Sequence, residues 1–310
     1  MHAHFRIVLW QGALSALSSG PVKYAAVFSA LLVLICAPAR ALPFDTVFKG
    51  KSKFDALVAQ GDAWKSLPIG ERVGVVGRAM VGTPYKHYTL EIDDRVEAPS
   101  ANLLAMDCWT FFESALAFAR MLDEPSAQWT PQTMLKYIER DRYRGGTCDD
   151  TYTSRLHYLE DWLWDNDKRG LVQDLTRSLG GVRVSHTAVE MTINWRSYRY
   201  MKASADVRAG IRKMEERVGS TPMYHIPKSK VASVESKLRT GDIIGITTKD
   251  SGGVGTSHVG LAYRTTDGVL HFMHASSPRN YGKVTLDTRL STYLYKFRSN
   301  AGILVARPVK

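Results

Sequence analysis

Three side chains in this sequence are of the types that together activate a nucleophile: Cys108, His258 and His274. Cys108 opens the apolar run MDCWTFFESALAFARML, in which Trp109, Phe112, Leu116, Ala119 and Leu122 recur at helical spacing. The run therefore reads as a core helix with a thiol at its head. Unpaired N–H groups and the macrodipole at a helix N-terminus favour negative charge, which eases loss of the thiol proton. A neighbouring imidazole can accept that proton and later deliver it to a leaving amine. A second polar group would fix the tautomer and orientation of the first ring. In that chemistry Cys108 is the nucleophile, His258 the base and His274 the orienter. The N–H of Cys108, at the helix start, is placed to receive an oxyanion.

The two histidines must share a face for this to work, and a hairpin decides whether they do. A three-residue loop, Thr266-Asp267-Gly268, makes Thr265 oppose Val269. In an antiparallel pair opposed residues share a face, so His274 then faces Gly260, one diagonal step from His258. Gly268 suits the position of that loop that needs positive φ. A two-residue Asp267-Gly268 turn would put the histidines on opposite faces, and the three-residue loop is preferred. His271 has odd separation from His274 and points the other way, which argues against a His271–His274 metal pair. A zinc site from Cys108, His258 and His274 is the competing use. Cys108 stands without a C-x-x-C partner and the chain has no helical H-x-x-x-H, so no metal and no cofactor are expected. The bland alternative is a small buried thiol and two satisfied core histidines.

The elements that must position these residues change character along the chain. Helical spacing predicts helices at 54–64, 69–81 and 108–122. A further helix is capped by Thr130 with Pro131 in its first turn and stops at Gly145-Gly146. SRLHYLEDWLWDN and KRGLVQDLTRSLGG read as two more helices, AVEMTINW as a strand, and 206–218 as a helix. After that, GDIIGITT, HVGLAYRT, VLHFMHASS and GILVARP read as strands separated by turn signals. Helices first and strands last is an α+β order, with helices against an antiparallel sheet. No Pro/Gly/Ser linker divides residues 42–310, which are expected to form one domain, and no internal repeat is present.

The first forty residues are of another kind. After a basic flank comes the apolar run YAAVFSALLVLICAPARA, too short for a span of ~20 residues and ending in the small-x-small pattern Ala39-Arg40-Ala41. Residues 1–41 read as a secretory signal cut before Leu42, which predicts a periplasmic or secreted protein without stable membrane insertion. The net charge is +11; Arg6, Lys23 and Arg40 belong to the leader, which leaves +8. Lys and Arg are scattered, with no nucleic-acid motif, so nucleic acid is not the expected partner; any role of the charge favours anionic polymers of the cell envelope. Beyond the leader two cysteines remain, Cys108 and Cys148, in an oxidising compartment. One disulfide is the bland reading, and a thiol kept free for chemistry the preferred one.

Asp107-Cys108, GDII, HVGLAY and HASS together resemble the NlpC-type papain-like cell-wall peptidases. In that superfamily the Cys of Asp-Cys is the nucleophile, the His of H-V-G the base and the His of H-A-S the third member, which implies the same three residues, Cys108, His258 and His274. With GTPY, SRLHYLEDW and TRSLGG added, the chain is similar to the N-acetylmuramoyl-L-alanine amidase-like family over most of its length. The resemblance implies a papain-like core with extra helices around the groove, and a peptidoglycan or muropeptide amide as substrate. It leaves open the bond between muramic acid and L-Ala against the γ-D-glutamyl to diamino-acid bond, and a groove that binds without chemistry. The superfamily's Pro-Tyr before the Cys implies Tyr85 at the rim, although its Gly-Gly is absent here. SRLHYLEDW is read as one helix whose Arg155, His157 and Asp161 contact substrate.

Overall fold

β-branched and aromatic runs after Gly241 build the centre of one antiparallel sheet in the computed structural model, which describes residues 41–250 and 253–309. Residues 1–40 of the proposed leader lie outside the described residues. The sheet strands are β1 (Val172–Asp174), β2 (Val182–Val184), β3 (Met223–Pro227), β4 (Ile243–Asp250), β5 (Gly253–Arg264), β6 (Leu270–Ala275), β7 (Val284–Arg289) and β8 (Asn300–Pro308). Their order is β2-β3-β8-β4-β5-β6-β7, with β1 also paired to β8, and every pairing is antiparallel.

The period-2 rule sets the two faces of the sheet. Ile243, Val259, Leu261 and Met273 enter one core with Phe111, Phe112 and Leu116. Ile244, Ile246, Ala262 and Phe272 enter another with Val231, Leu290 and Leu294. Helices α1 (Ile69–Ala79), α2 (Cys108–Met121) and α3 (Pro131–Arg142) thus belong to the first side, and the short helices Lys228–Val234 and Leu290–Leu294 to the second. A third cluster, of Tyr152, Met191, Tyr200, Ile211 and Met214, joins α5 (Ala205–Ser220) to the segments around it. This is the expected α+β, papain-like arrangement, with extra helices.

The hairpin has the expected register. Leu261 pairs with Met273 and Tyr263 with His271, which is the pairing a three-residue loop dictates. Thr265 N–H donates to Val269 O at 3.0 Å, and Gly268 has φ 82°. The GDII motif has a structural use. The Asp242 carboxylate takes two bonds of 2.8 Å from the Arg307 guanidinium, and Gly241, at φ 83°, lets the turn pass against Gly70.

Several expectations need correction. The stretch 54–64 is broken into helices Lys51–Val58 and Gly61–Trp64. KRGLVQDLTRSLGG is not a helix: Val172–Asp174 pairs with β8, and the Asp174 side chain accepts from Thr176 N–H in a turn. Sheet pairing overrides its helical pattern. AVEMTINW is not a strand but holds the short helix Glu190–Ile193, whose start is fixed by Glu215 Oε1 accepting from Met191 N–H and Thr192 N–H. In SRLHYLEDW only the second half is an α-helix, α4 (Leu159–Lys168); Arg155 and His157 precede it, and Arg155 is extended and bridged to Tyr143. His157 and Asp161 are therefore not a pair one turn apart on a helix.

Candidate active site

Cys108 is the first residue of α2, and the chain around it is fixed by a reciprocal cap. Asp107 Oδ1 accepts from Thr110 N–H at 2.8 Å, and Thr110 Oγ1 accepts from Asp107 N–H at 3.1 Å. The second oxygen of Asp107 accepts from Thr89, both from its N–H at 3.2 Å and its hydroxyl at 2.8 Å, so the cap also anchors the loop after Tyr85. Tyr85 is brought in by backbone pairing: Met106 N–H donates to Pro84 O at 2.9 Å and Lys86 N–H to Met106 O at 3.0 Å. Those bridges place Tyr85 beside Cys108 despite the long intervening segment.

His258 stands on β5 beside a bulge that opposes it to Ile246. Its Nε2 lies 2.7 Å from Nδ1 of His274 on β6, with the rings perpendicular at 89°. His274 is buried, stacked on Phe272 at 4.7 Å and against the edge of Tyr293 at 5.1 Å. Its Nε2 lies 3.3 Å from Oδ2 of Asp287 on β7, and Asp287 Oδ1 pairs with the Lys296 ammonium.

This chain assigns the protons. An ionised carboxylate only accepts, so His274 Nε2 carries hydrogen and its Nδ1 is a lone pair. That lone pair accepts from His258 Nε2–H, which leaves His258 Nδ1 free to take a proton. Burial tends to raise the Asp287 carboxyl, but bonds from His274 and Lys296 more than offset this and hold it well below the usual carboxylate range. Burial, then the charge on His274, pushes His258 well below its ordinary value; burial lowers His274 too, against the pull of Asp287. Both rings are neutral near pH 7.

The thiol does not behave as the helix start alone implies. Burial, then the Asp107 charge, pushes Cys108 up to about 12, while the N–H groups of Val259, Trp109 and Cys108 itself pull the other way. The resting pair is a neutral thiol and a neutral imidazole, so proton removal belongs to the attack step. The Val259 contact also shows how near β5 runs to the sulfur.

Cys108, His258, Tyr85, Arg155 and His157 all border one groove of about 770 Å³, and Asp161 does not. Asp161 is buried and paired with Arg144 and Arg217, so the expectation of substrate contact there is withdrawn. The Arg155 guanidinium is buried against Glu97 at 3.0 Å and Glu91 at 3.3 Å, which makes it part of the wall's support. His157 Nε2 meets Tyr152 O at 2.8 Å, and burial, then the Arg155 charge, keeps the ring neutral. Burial, with the charges of Cys108 and Asp107, raises the Tyr85 hydroxyl, which stays a donor. Sequence reading missed Asp287, Lys296 and Tyr293. A carboxylate in VTLDTR, on a strand next to the His274 strand, was the available signal. Cys108 and Cys148 are both free thiols; Cys148 Sγ rests on Glu97 O at 3.6 Å and does not border the groove. Among the described residues no three of His, Cys, Asp and Glu form a metal-holding group, and no helix is long and apolar enough to cross a membrane.

No curated protein matches the chain in sequence. Among solved structures, an N-acetylmuramoyl-L-alanine amidase from Bacteroides uniformis ATCC 8492 superposes with a TM-score of 0.69 at 30% identity, over 78% of this chain and 99% of that one. A Bacteroides fragilis protein provisionally named a xylanase gives 0.66 at 35% identity, over 76% and 99%. Protein LPG0564 of Legionella pneumophila str. Philadelphia 1, matched by the DUF1460 family model, shares the fold alone, at 19% identity and 0.63 over 84% and 95%. The AmiA-like model, described as N-acetylmuramoyl-L-alanine amidase-like, matches residues 75–303, and with these structural likenesses the chain belongs to that family.

Proposed function

We propose that this protein is an exported cysteine hydrolase that cuts an amide bond in peptidoglycan or its muropeptides through a thioester on Cys108. The observation that carries this reading is an imidazole relay whose His258 borders the same groove as the Cys108 thiol, in a chain of an amidase-like family. His258 Nδ1 takes the Cys108 proton as the sulfur attacks the amide carbon. The oxyanion forms at the N–H of Cys108. His258 then gives the proton to the amide nitrogen, the C–N bond breaks, and the amine leaves a thioester. Water attacks with His258 again as base, which releases the acid and restores the thiol. Tyr85 and His157 are the rim groups assigned to substrate. The leader, residues 1–41, would deliver the chain to the periplasm or outside the cell.

Cys108→Ala and Cys108→Ser are expected to abolish turnover of purified muropeptides, read by mass spectrometry of the products. An unchanged product spectrum would overturn the reading. The same spectra identify the bond: loss of the whole peptide from muramic acid marks the amidase named for the family, and cleavage inside the peptide marks a γ-D-glutamyl endopeptidase.

A further inference from the structure

The imidazole relay ends on a carboxylate that is itself inside the protein: 1% of the Asp287 side chain is exposed. A buried carboxylate needs a counter-charge. Two groups stand where they could supply it. His274 Nε2 lies 3.3 Å from Oδ2, and the Lys296 ammonium pairs with Oδ1. For the ring to supply the charge it would have to hold a second proton.

Lys296 is built into its place. It follows the helix Leu290–Leu294, whose Tyr293 packs on His274, and its N–H donates to Tyr293 O at 3.0 Å. The ammonium lies over the rings of Tyr281 at 5.4 Å and Tyr293 at 5.7 Å, and donates to the Tyr281 hydroxyl at 3.3 Å. A solvated surface pair contributes little, but here only one end of the pair meets water. Burial works against the Lys296 charge, and the bonds with Asp287 and Tyr281 more than offset it. The other groups facing Asp287 are engaged in ways that bring no such charge. Thr288 N–H donates to Oδ1 at 2.6 Å, the Tyr281 hydroxyl lies 3.5 Å from it, and His271 Nδ1 lies 2.7 Å from the backbone oxygen. The Arg289 guanidinium is taken by Glu235, and His258 meets His274 from β5. Among the described residues Lys296 is the one Lys or Arg paired with Asp287.

Which group carries the charge decides the direction of the relay. One extra proton on His274 puts hydrogen on Nδ1 and reverses the bond to His258. The His258 proton then sits on Nδ1, and the base is lost. Burial lowers His274, Asp287 raises it, and the Lys296 charge lowers it.

We propose that Lys296 is a positioning residue for the reaction: it supplies the counter-charge of Asp287 so that neither imidazole has to, which leaves His258 with a free lone pair. The effect on turnover rests on the reading of Cys108 as nucleophile and His258 as its base; the proton count on the two rings does not.

Lys296→Gln keeps a hydrogen-bond donor and removes the charge, whereas Lys296→Arg keeps the charge. NMR of the full chain with nitrogen-15 in its histidine rings follows proton uptake, the two signals being those lost in His258→Gln and His274→Gln. In Lys296→Gln the pair is expected to take up its proton about one pH unit higher, a tenfold change, as loss of a nearby charge produces. The acid limb of kcat/KM on muropeptides should move up with it, while Asp287→Asn moves that limb the other way. Lys296→Arg should hold both within about 0.3 of a unit. The position of a titration does not depend on the folded fraction, so the comparison holds even if Lys296→Gln is less stable. Rings that titrate unchanged in Lys296→Gln overturn the proposal. So does a shift that Lys296→Arg reproduces in full, since that marks lost packing. Rings that shift while the kinetic limb stays would overturn His258 as base and leave the counter-charge standing.

Discussion

At the scale of single residues, the proton assignment makes a claim about pH. His258 must be neutral to act as base, and burial with the His274 charge holds its pKa well below 6.5. The rate rises as pH climbs through the base's pKa, so the acid limb of kcat/KM is expected below pH 6.5. Asp287 acts through two rings. In Asp287→Asn the anion that raises His274 is gone, Lys296 loses its partner, and the relay no longer has a fixed direction. The expected result is a fall in kcat on the order of 10²-fold, at the lower end of what an acid–base partner supplies. KM should change little, and the acid limb should move further down in pH. A pH–rate profile beside that of the unaltered protein checks this, because a change confined to packing would lower the plateau and leave the limb in place.

At the scale of elements, the β5–β6 ribbon is what brings the two imidazoles together, and Gly260 is a point of close approach between its strands. A Cβ there would lie 2.5 Å from Met273 O and 2.8 Å from His274 Cβ. Gly260→Ala must push the strands apart where His258 meets His274. It is expected to cost about 1–3 kcal/mol by overpacking and to lower activity by more than the unfolded fraction explains. Urea denaturation and specific activity of the folded protein separate the two effects. This ribbon was legible in the sequence because one loop length fixes its register, and Thr266-Asp267-Gly268 has the residues for it. The Cys108 helix was legible from its apolar spacing and its Asp-Cys start. The strand carrying Asp287 was not, because VTLDTR is short and half polar and holds a bulge between Leu286 and Arg289 opposite His271–Met273. Nor was the extended Arg155, whose conformation is set by the bridge to Tyr143, 12 residues earlier, and not by local spacing.

At the scale of the whole molecule, the groove wall between Tyr85 and Glu97 has little regular structure and is held from outside itself. Tyr143 OH donates to Glu97 at 2.6 Å, Tyr152 OH to Glu91 at 2.9 Å, and Tyr200 OH to Val96 O at 2.9 Å. Arg155 is the centre of this network, buried between both carboxylates and over the Tyr152 ring at 4.6 Å. Burial alone would raise the Glu97 carboxyl; the Arg155 charge is the largest influence that lowers it. Arg155→Met keeps most of the volume but strands two buried carboxyls, a change that costs about 3–5 kcal/mol when one partner of a buried pair is removed. The loss should appear in urea denaturation, with faster amide exchange concentrated in residues 88–97. Activity should fall through KM, since the wall that shapes the groove loosens while the imidazole relay is untouched. A contact made only with substrate would raise KM and leave the denaturation midpoint where it was.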